Sequence, residues 1–436
     1  MIMKKRPEIQ TADHGYTDVV IVGGGASALA AAIEIRMSDP GISVTILEKN
    51  PAPARKIRAT GNGRCNITNT AAAGYLDILK FFTRIGLVTR AYENGLVYPY
   101  SESAADVADL LISRALELGA DIMTDAEVSY VRLSESARQQ GPDAGCSFRF
   151  ETGFRGGRIR SSYVILACGG KAGPMFGTTG DGYRIARELG HSVVTPVPVL
   201  TSVECREWDQ SHVPCAVNLA GTRARGVITL TGRSPQNSET ELFREAGEIQ
   251  FTRSGISGIC VFNMTRFMRL DRAKGETLPD FTVRADLYPD GEIRAFLRDR
   301  KDNAFPGEEI SDVLRTVLKD NIASYVIETA SVSCGLDPSK EVSKLTDSEI
   351  EAIGDAVHCM SFTPERLKGW KEAQATSGGV DMKEIDPDTC GSRFVEGLYI
   401  TGELADRDFQ CGGFNLSNAW ITGLAAAESI LSEAGR

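Results

Sequence analysis

The sequence is poor in the residue patterns that build metal centres and disulfide frameworks. It contains four histidines and ten cysteines in 436 residues, with no Cys-x-x-Cys pair and no two histidines at a metal-binding spacing. Scattered cysteines in a long chain without an export signal favour reduced thiols. We therefore expect no metal centre and a cytoplasmic protein.

The chain also lacks a long apolar run and an excess of positive charge. Its most apolar segment near the C-terminus is interrupted by Asn418, Thr422 and Gly423, which argues against a membrane span. The formal net charge is −10, so there is no general attraction to nucleic acid or to an anionic membrane. We expect a small-molecule substrate, and the sequence leaves the oligomeric state open.

A strand, a glycine turn and a helix stand near the N-terminus. Residues 19–22 are branched and apolar, they run into the glycines of DVVIVGGGASA, and a second apolar run, ISVTILE, ends at Glu48. This order is typical of a dinucleotide-binding βαβ unit. Gly23 permits the sharp turn, Gly25 lets the backbone approach a pyrophosphate, and Ala28 lets the helix pack on the sheet. Glu48 stands where a carboxylate accepts hydrogen bonds from ribose.

The loop that follows, residues 51–70, is rich in glycine, arginine, asparagine and threonine. Its basic residues complement a bound pyrophosphate, although an ordinary surface loop is the alternative. These residues are Arg55, Lys56, Arg58 and Arg64.

Periodicity predicts the elements of the next hundred residues. Residues 104–118 have helical spacing and stop at Gly119. The runs AEVSYVRL, SFRFETG and RIRSSYVILACGG predict an antiparallel meander that leads back into a buried strand, 163–167, followed by glycines where ligands approach a sheet. The turn GTTGDG opens a further helix, but no strand-ending acid follows it, so it is not a second dinucleotide fingerprint.

Pro196 and Pro198 mark a boundary in the middle of the chain. Short alternating runs then predict β structure to about residue 300, and residues 306–360 are helical in pattern, with a capping box formed by Thr346 and Glu349. A late apolar strand, GLYITGELAD, precedes another glycine turn and helix.

We thus predict an α/β fold in which a Rossmann-like dinucleotide-binding domain is interrupted by a mostly β plus helical middle domain. The predicted parts are a mobile tail at 1–16, a discontinuous cofactor domain at 17–195 and 363–436, and an inserted substrate or cap domain at 196–362, β-rich over 196–300 and helical over 306–360.

Six segments together resemble the YhiN/BaiN-type FAD-dependent flavoproteins of the two-dinucleotide-binding-domain superfamily. They occur in family order from residue 17 and read GGGASA, RKIRATGNGRCNITN, ACGGKAGPMFGTTGDGYRIARELGH, GEIQFTRSGISG, ATSGGVDMKEIDPDTC and GLYITGELADRDFQCGGFNLSNAWITG. The resemblance implies FAD as cofactor and an inserted middle domain.

The resemblance also implies which residues contact FAD. The pyrophosphate would be held by Gly23, Gly25, Ala26, Ser27 and Ala28, the adenosine ribose by Glu48 and Lys49, and adenine by the backbone of Val128. The cofactor loop would be lined by Lys56, Gly61, Arg64, Cys65 and Asn66, and the cofactor would also be flanked by Gly169, Gly402 and Glu403. A helix N-terminus would be brought to the isoalloxazine by Gly413, Phe414, Asn415 and Leu416. There the helix dipole stabilises the negative charge of reduced flavin.

One segment departs from the family pattern. The family's FTHxGISGP reads FTRSGISGI here, with Arg253 in place of histidine and Ile259 in place of proline. If the segment faces the flavin, a permanent cation replaces a titratable group, which favours anchoring a carboxylate or polarising a carbonyl over general acid chemistry. A structural salt bridge is the alternative. Cys65 and Lys171 are further catalytic candidates, and packing is the alternative for the cysteine.

The resemblance implies an FAD-dependent oxidoreductase that moves a hydride between flavin and an organic substrate, such as an enone or a bile-acid-like compound with an activated C=C bond. Alternatives are an amine oxidase acting on aminoacetone, a ribosomal RNA dihydrouridine synthase, for which the net charge is unfavourable, and a non-catalytic flavin-binding protein. Since only one dinucleotide fingerprint is present, NADH or NADPH as electron donor would have no domain of its own.

Overall fold

The computed structural model describes residues 12–134, 148–233, 239–268 and 280–435. The chain divides into two compact units, the first formed by residues 1–197 and 375–436 and the second by 198–374. Residues 1–11 of the predicted tail lie outside the described residues. Residues 12–16, which the sequence placed in that tail, begin the first strand because they pair with a neighbouring strand.

The described strands and helices are as follows. The strands are β1 Ala12–Val22, β2 Val44–Leu47, β3 Thr68–Asn69, β4 Thr89–Ala91, β5 Leu96–Pro99, β6 Asp121–Met123, β7 Val128–Leu133, β8 Phe150–Phe154, β9 Gly157–Leu166, β10 Val193–Val199, β11 Val203–Cys205, β12 Arg223–Arg233, β13 Glu239–Phe251, β14 Gly255–Ser257, β15 Phe281–Asp286, β16 Met360–Phe362, β17 Pro364–Leu367, β18 Ala375–Val380 and β19 Leu398–Ile400. The α-helices are α1 Ala26–Ser38, α2 Arg55–Ala59, α3 Tyr75–Arg84, α4 Ala104–Glu117, α5 Asp181–Glu188, α6 Ile259–Thr265, α7 Ile293–Asp302, α8 Ile310–Leu314, α9 Asp320–Cys334, α10 Asp347–His358 and α11 Phe414–Ala434.

The main sheet of the first unit has the strand order β6-β2-β1-β9-β8-β7, with β19 also paired to β9. Strands β6, β2, β1, β9 and β19 are parallel, and β7 and β8 continue the sheet as the predicted antiparallel meander. Val19 lies opposite Val44 on one side and Tyr163 on the other. Because the parallel strands share one direction, their carboxyl ends meet at one edge, where ligands bind in such sheets.

Both faces of this sheet are covered, which explains the continuous apolar run in β1. Residues 19–22 are at most 4% exposed. On one face α1, α4 and α11 contribute to a core that includes Leu29, Ile33, Leu111, Phe82 and Trp420. On the other face the core includes Val20, Val164, Leu166, Tyr183 and Ile400. The predicted helix over 104–118 is confirmed as α4, and it is followed by Gly119 at φ +85°.

Two smaller sheets complete the first unit. Strands β3, β5 and β4 form an antiparallel sheet in the order β3-β5-β4, and β10 pairs with β18. Thr68 of β3 lies opposite Val97 of β5. The small three-stranded sheet thus begins inside the segment 51–70 that the sequence predicted to be a loop.

The second unit contains a sheet in the order β16-β15-β12-β13-β14-β11-β17, in which every pairing is antiparallel. Its helices include α8, α9 and α10, and the capping box of Thr346 with Glu349 is present at the start of α10. The prediction of a β-rich and then helical middle segment is confirmed in this part.

Two local features of the second unit differ from the sequence prediction. Residues 293–302, which begin in the segment expected to be β-rich, form α7, because the Glu292 side chain caps it by accepting a hydrogen bond from the Arg294 N–H. The unit also continues beyond residue 362, since β17 pairs with β11 there. Among the described helices, none is long and apolar enough to cross a membrane.

Candidate cofactor site

The turn between β1 and α1 requires glycine at its first position. Gly23 has φ +99°, and a Cβ there would lie 2.7 Å from the carbonyl oxygen of Ala167, which follows β9. The Gly23 N–H donates to the Leu47 carbonyl at the end of β2, at 2.8 Å. The turn is therefore held between the two strands that flank β1.

The next two glycines differ in their surroundings. A Cβ at Gly24 would lie 2.8 Å from the Pro53 side chain, whereas a Cβ at Gly25 would meet only the Ala167 oxygen, at 4.0 Å. Gly25 is the N-cap residue of α1 and has an ordinary φ of −88°. Among the described residues, only the Ala167 oxygen comes within 4 Å of the position that a Cβ of Gly25 would take at this helix N-terminus. Such a space, lined by free N–H groups, fits the pyrophosphate of FAD.

Glu48 is fixed at the end of β2 by three donors. Its Oε2 accepts from the Gly24 N–H at 2.7 Å, and its Oε1 accepts from the backbone N–H and the side-chain amide of Asn50, at 2.8 and 2.6 Å. The side chain is 8% exposed. A carboxylate held in this way keeps further lone pairs for ribose hydroxyls.

Backbone hydrogen bonds bring the start of β7 to the same place. The Glu48 N–H donates to the Met123 carbonyl at 2.9 Å, and the Ala126 N–H donates to the Glu48 carbonyl at 2.9 Å. Val128, two residues later, is 8% exposed. The predicted adenine and ribose residues are thus neighbours at one edge of the sheet.

The C-terminal segment reaches the glycine turn through hydroxyl groups. Thr401, directly after β19, donates to the Ser27 hydroxyl at 3.1 Å, and the Gly402 N–H donates to the Thr422 hydroxyl of α11 at 2.9 Å. Gly402 has φ +66°. These bonds place Gly402 beside the N-terminal turn of α1, although the two lie 375 positions apart in the sequence.

Glu403 links the cofactor loop to β18. Its Oε2 accepts from the Lys56 ammonium at 2.8 Å and its Oε1 from the Thr376 N–H at 2.7 Å. The Thr376 hydroxyl in turn accepts from the backbone N–H groups of Lys171 and Ala172, at 2.8 and 3.1 Å. Lys56 therefore forms an ion pair with Glu403, so its charge is not available to a pyrophosphate alone.

The cofactor loop from Gly61 to Asn66 contains a run of left-handed residues. Gly61, Asn62 and Cys65 have φ between +55° and +58°. Cys65 is fully buried, and burial raises the pKa of its thiol to about 11. Because the thiolate is the nucleophilic form and the raised pKa keeps the thiol protonated, we assign Cys65 to packing in the core rather than to reactivity.

The loop is attached to α11 by polar contacts. The Thr68 and Ser417 hydroxyls lie 2.7 Å apart, and the Trp420 indole N–H donates to the Ile67 carbonyl at 2.9 Å. Gly413, the N-cap residue of α11, has φ +95°, and a Cβ there would lie 2.8 Å from the Thr68 backbone. The N-terminus of α11 is therefore held against the end of the cofactor loop.

The side chain of Asn415 is used within its own turn. Its amide oxygen accepts from the Phe409 N–H at 3.1 Å and its amide nitrogen donates to the Phe409 carbonyl at 2.8 Å. Phe414 and Leu416 flank it in the first turn of α11. This first turn can offer backbone N–H groups and the positive end of the helix dipole to an isoalloxazine.

The residues predicted to bind FAD all lie in the first unit. Arg253 does not: it is exposed in the turn between β13 and β14 of the second unit, and no carboxylate of the described residues forms an ion pair with it. The salt bridge that was the alternative for Arg253 is thus absent from the described part of the chain. Gly169, at φ +68°, and Lys171 follow β9 at the carboxyl edge of the main sheet.

Several residues of this edge were not singled out from the sequence. Thr376 is fully buried between Glu403 and the segment after β9. Asp181 and Thr179 contact Lys49, which was predicted to lie at the ribose: Lys49 forms an ion pair with Asp181 and donates to the Thr179 hydroxyl at 2.6 Å. The sequence predicted the GTTGDG turn that contains Thr179 and Asp181, but it did not predict that this turn contacts Lys49, directly after β2.

One buried polar atom at this edge has no partner among the described residues. The Tyr183 hydroxyl is buried, and burial together with the charges of Glu403 and Asp406 raises the pKa of Tyr183. The phenol is therefore neutral and keeps a free donor near the residues expected to hold the ribityl chain. Across the described residues no group of three or more histidine, cysteine or acidic side chains could hold a metal ion.

A family model described as "HI0933-like protein Rossmann domain" matches residues 17–76 and 74–429. The chain belongs to this family. The match confirms the resemblance to YhiN/BaiN-type flavoproteins, and this member of the HI0933-like family is an FAD-dependent oxidoreductase.

Relatives with assigned names cover almost the whole chain. A 3-dehydro-bile acid delta(4,6)-reductase of Clostridium scindens is 33% identical over 432 residues, 94% of this chain and 98% of the relative. A ribosomal RNA dihydrouridine synthase of Haemophilus influenzae is 27% identical over 434 residues, 95% of this chain and 98% of the relative. A solved 3-ketosteroid delta1-dehydrogenase of Sterolibacterium denitrificans has a TM-score of 0.48 and 14% identity, with 96% of this chain and all of that chain covered.

Proposed function

We propose that the protein reduces an activated carbon–carbon double bond, conjugated to a carbonyl, in a small enone or bile-acid-like substrate. The observation that carries this proposal is the 33% identity, over nearly the full length of both chains, to a reductase that acts on 3-dehydro-bile acids. The cytoplasm is the expected location, since all nine described cysteines are free thiols.

FAD, when bound, supplies hydride transfer at its isoalloxazine ring. The chain's own residues provide binding and orientation. The N-terminus of α1 at Gly25 would take the pyrophosphate, and Glu48 would take the adenosine ribose. Glu403, held between Lys56 and Thr376, would accept from the ribityl hydroxyls.

The N-terminus of α11 provides the electrostatic part of the mechanism. The helix is 21 residues long, and its N-cap residue, Gly413, lies against the cofactor loop. With the isoalloxazine bound at this N-terminus, as the sequence predicts, the first turn would offer the positive end of the helix dipole to negative charge on the ring.

Arg253 remains the candidate from the sequence for anchoring a carboxylate or polarising a carbonyl of the substrate; it belongs to the second unit, whereas the predicted FAD residues belong to the first. Its charge is permanent, and no acid among the described residues neutralises it. A cation near a conjugated carbonyl polarises the double bond towards hydride addition. Replacing Arg253 by lysine should preserve more activity than replacing it by methionine.

The test is anaerobic reduction of the purified flavoprotein followed by a screen for reoxidation. Enones, 3-dehydro-bile-acid derivatives, aminoacetone and uracil-containing ribosomal RNA are added separately, and flavin absorbance is followed. Reoxidation by enones with formation of the saturated ketone supports the proposal. Reoxidation only by RNA would replace it by the dihydrouridine synthase activity, to which the 27% identical relative points.

The electron donor is tested in the same apparatus. The oxidised protein is mixed anaerobically with NADH or NADPH, and bleaching of the flavin identifies the donor. If aminoacetone reduces the flavin and oxygen restores it with release of peroxide, the protein is an amine oxidase and the reductase proposal fails.

A further inference from the structure

A single segment runs along the carboxyl edge of the main sheet, from the end of β9 to the residues after β2. These two strands lie on opposite sides of β1. A segment that begins after β9 and contacts residues beyond β2 must therefore pass the end of β1, where Gly25 leaves its open space. We call residues 173–181 the strap.

The near end of the strap is fixed to β18. The backbone N–H of Ala172, immediately before the strap, donates to the Thr376 hydroxyl at 3.1 Å. Inside the strap the Thr178 hydroxyl donates to the carbonyls of Ala172 and Gly173, at 2.5 and 2.9 Å. The strap thus has a folded base close to Glu403, which accepts from the Thr376 N–H.

The far end of the strap is fixed to the residues that follow Glu48. Lys49 forms an ion pair with Asp181 and donates to the Thr179 hydroxyl. Arg55 donates to the Met175 carbonyl at 2.9 Å and to the Asn50 side-chain oxygen at 2.7 Å. The side chains of Lys49 and Asp181 are 25% and 38% exposed, so solvent can reach this pair.

The two ends of the strap therefore lie beside the two carboxylates expected to bind opposite halves of FAD. Glu403 is at the ribityl end and Glu48 at the adenosine end. The contacts at the far end are made by side chains of the partly exposed residues Lys49, Arg55 and Asp181, whereas those at the base are backbone bonds to a buried threonine. The far end is the part that opens at lower cost.

We propose that the strap closes over the adenosine half of bound FAD and that the ion pair between Lys49 and Asp181 holds it closed. Asp181 is a positioning residue, because it acts on the strap rather than on the cofactor. Lys49 is also predicted to contact the adenosine ribose, so Asp181→Asn is the variant that isolates the strap. The adenosine half of FAD enters and leaves when the pair opens.

The experiment measures the rate at which the holoprotein releases FAD into an excess of an FAD-specific scavenger, the apoprotein of glucose oxidase, followed by the oxidase activity that the scavenger regains. The variants are Lys49→Met, Asp181→Asn and the double variant. We expect each single variant to release FAD about 1.5- to fivefold faster, the range for loss of one partly exposed ion pair. The double variant should be no faster than the faster single variant, because both changes remove the same contact.

Ionic strength gives a second readout. Raising salt should accelerate release from the wild-type protein and leave release from Asp181→Asn unchanged, because screening acts on the ion pair. The flavin spectrum of each holoprotein variant and the melting temperature of each apoprotein variant should match those of the wild type. Such a match would exclude a general loss of structure as the cause of faster release.

The matched control is Arg184→Met. It removes the ion pair of Arg184 with Glu188, which lies on the same helix as Asp181, is similarly exposed and has a nitrogen–oxygen distance of 2.7 Å. Release at the wild-type rate is expected. Wild-type release from both Lys49→Met and Asp181→Asn, equal acceleration in Arg184→Met, or additive effects in the double variant would each overturn the proposal.

Discussion

Gly423 of α11 lies directly on the backbone of Ser27 in α1. A Cβ at Gly423 would stand 2.3 Å from the Ser27 carbonyl oxygen and 3.0 Å from its Cα. The Ser27 hydroxyl meanwhile accepts from Thr401, which follows β19. The last helix of the chain is therefore pressed against the first one at the point where the glycine turn opens.

Gly423→Ala should destabilise the protein by up to about 2 kcal/mol. Alanine gains ~1 kcal/mol in helix propensity, but overpacking against a backbone atom costs about 1–3 kcal/mol, and the backbone of α1 yields little. Chemical unfolding of the apoprotein measures the difference. Gly369→Ala is the control, since a Cβ there meets nothing within 4 Å; an equal loss in both variants would contradict this account.

Gly25→Val should fold and contain no flavin. The protein itself has room for a side chain at this position, where a Cβ lies 4.0 Å from its nearest neighbour, so unfolding should stay near the wild-type midpoint. The side chain would occupy the space of the pyrophosphate, and the purified protein should be colourless. A yellow variant would show that the pyrophosphate lies elsewhere.

Gly23→Ala makes the complementary comparison. Its φ of +99° and the 2.7 Å approach to Ala167 mean that alanine is strained and crowded there. We expect poor folding rather than a stable apoprotein. The variants at Gly23 and Gly25 should thus distinguish a glycine that the fold requires from a glycine that FAD binding requires.

The parts of the site that the sequence predicted are local. The order of strand, glycine turn and strand-ending acid fixes the positions of Gly25 and Glu48, because β1, α1 and β2 follow one another along the chain. The role of Thr376 was not predictable, since its hydroxyl is used by a segment more than two hundred positions earlier. The ion pair of Lys49 with Asp181 was not predictable for the same reason. The two residues are distant in the sequence, and only the strand order shows that their segments meet at one edge of the sheet.

The sequence also could not decide between two roles for Cys65. The residue stands in the cofactor loop, which made it a catalytic candidate, but its side chain is wholly buried. Burial is a property of the packed loop and α11, and it has no local sequence pattern. The structure favours packing.

Cys65→Ala should keep both its flavin and its turnover. With a pKa of about 11, only about one thiol in a thousand is ionised at pH 8. Iodoacetamide followed by peptide mass mapping should modify the exposed Cys334 and leave Cys65 unmodified. A variant that retains flavin but loses turnover would restore Cys65 as a proton donor.

His191 should make stability depend on pH below neutrality. Its ring is fully buried, Nδ1 lies 3.1 Å from Glu384, and Nε2 has no partner among the described residues. Burial lowers the pKa of His191 below 6.5, against the smaller opposing effect of Glu384. The native ring is therefore neutral, with Nδ1–H donating to the Glu384 carboxylate.

The pKa of His191 is lower in the folded protein than in the unfolded chain. Between these two pKa values the unfolded chain therefore binds a proton on His191 and the native protein does not. The stabilisation is complete above pH 6.5 and is lost as pH falls below that value towards the folded pKa. The slope from one proton is at most about 1.4 kcal/mol per pH unit. Urea unfolding of the wild type and His191→Gln between pH 5 and pH 8 should show a flatter profile for the variant. The control is His212→Gln in the second unit, and equal flattening there would assign the slope to another group.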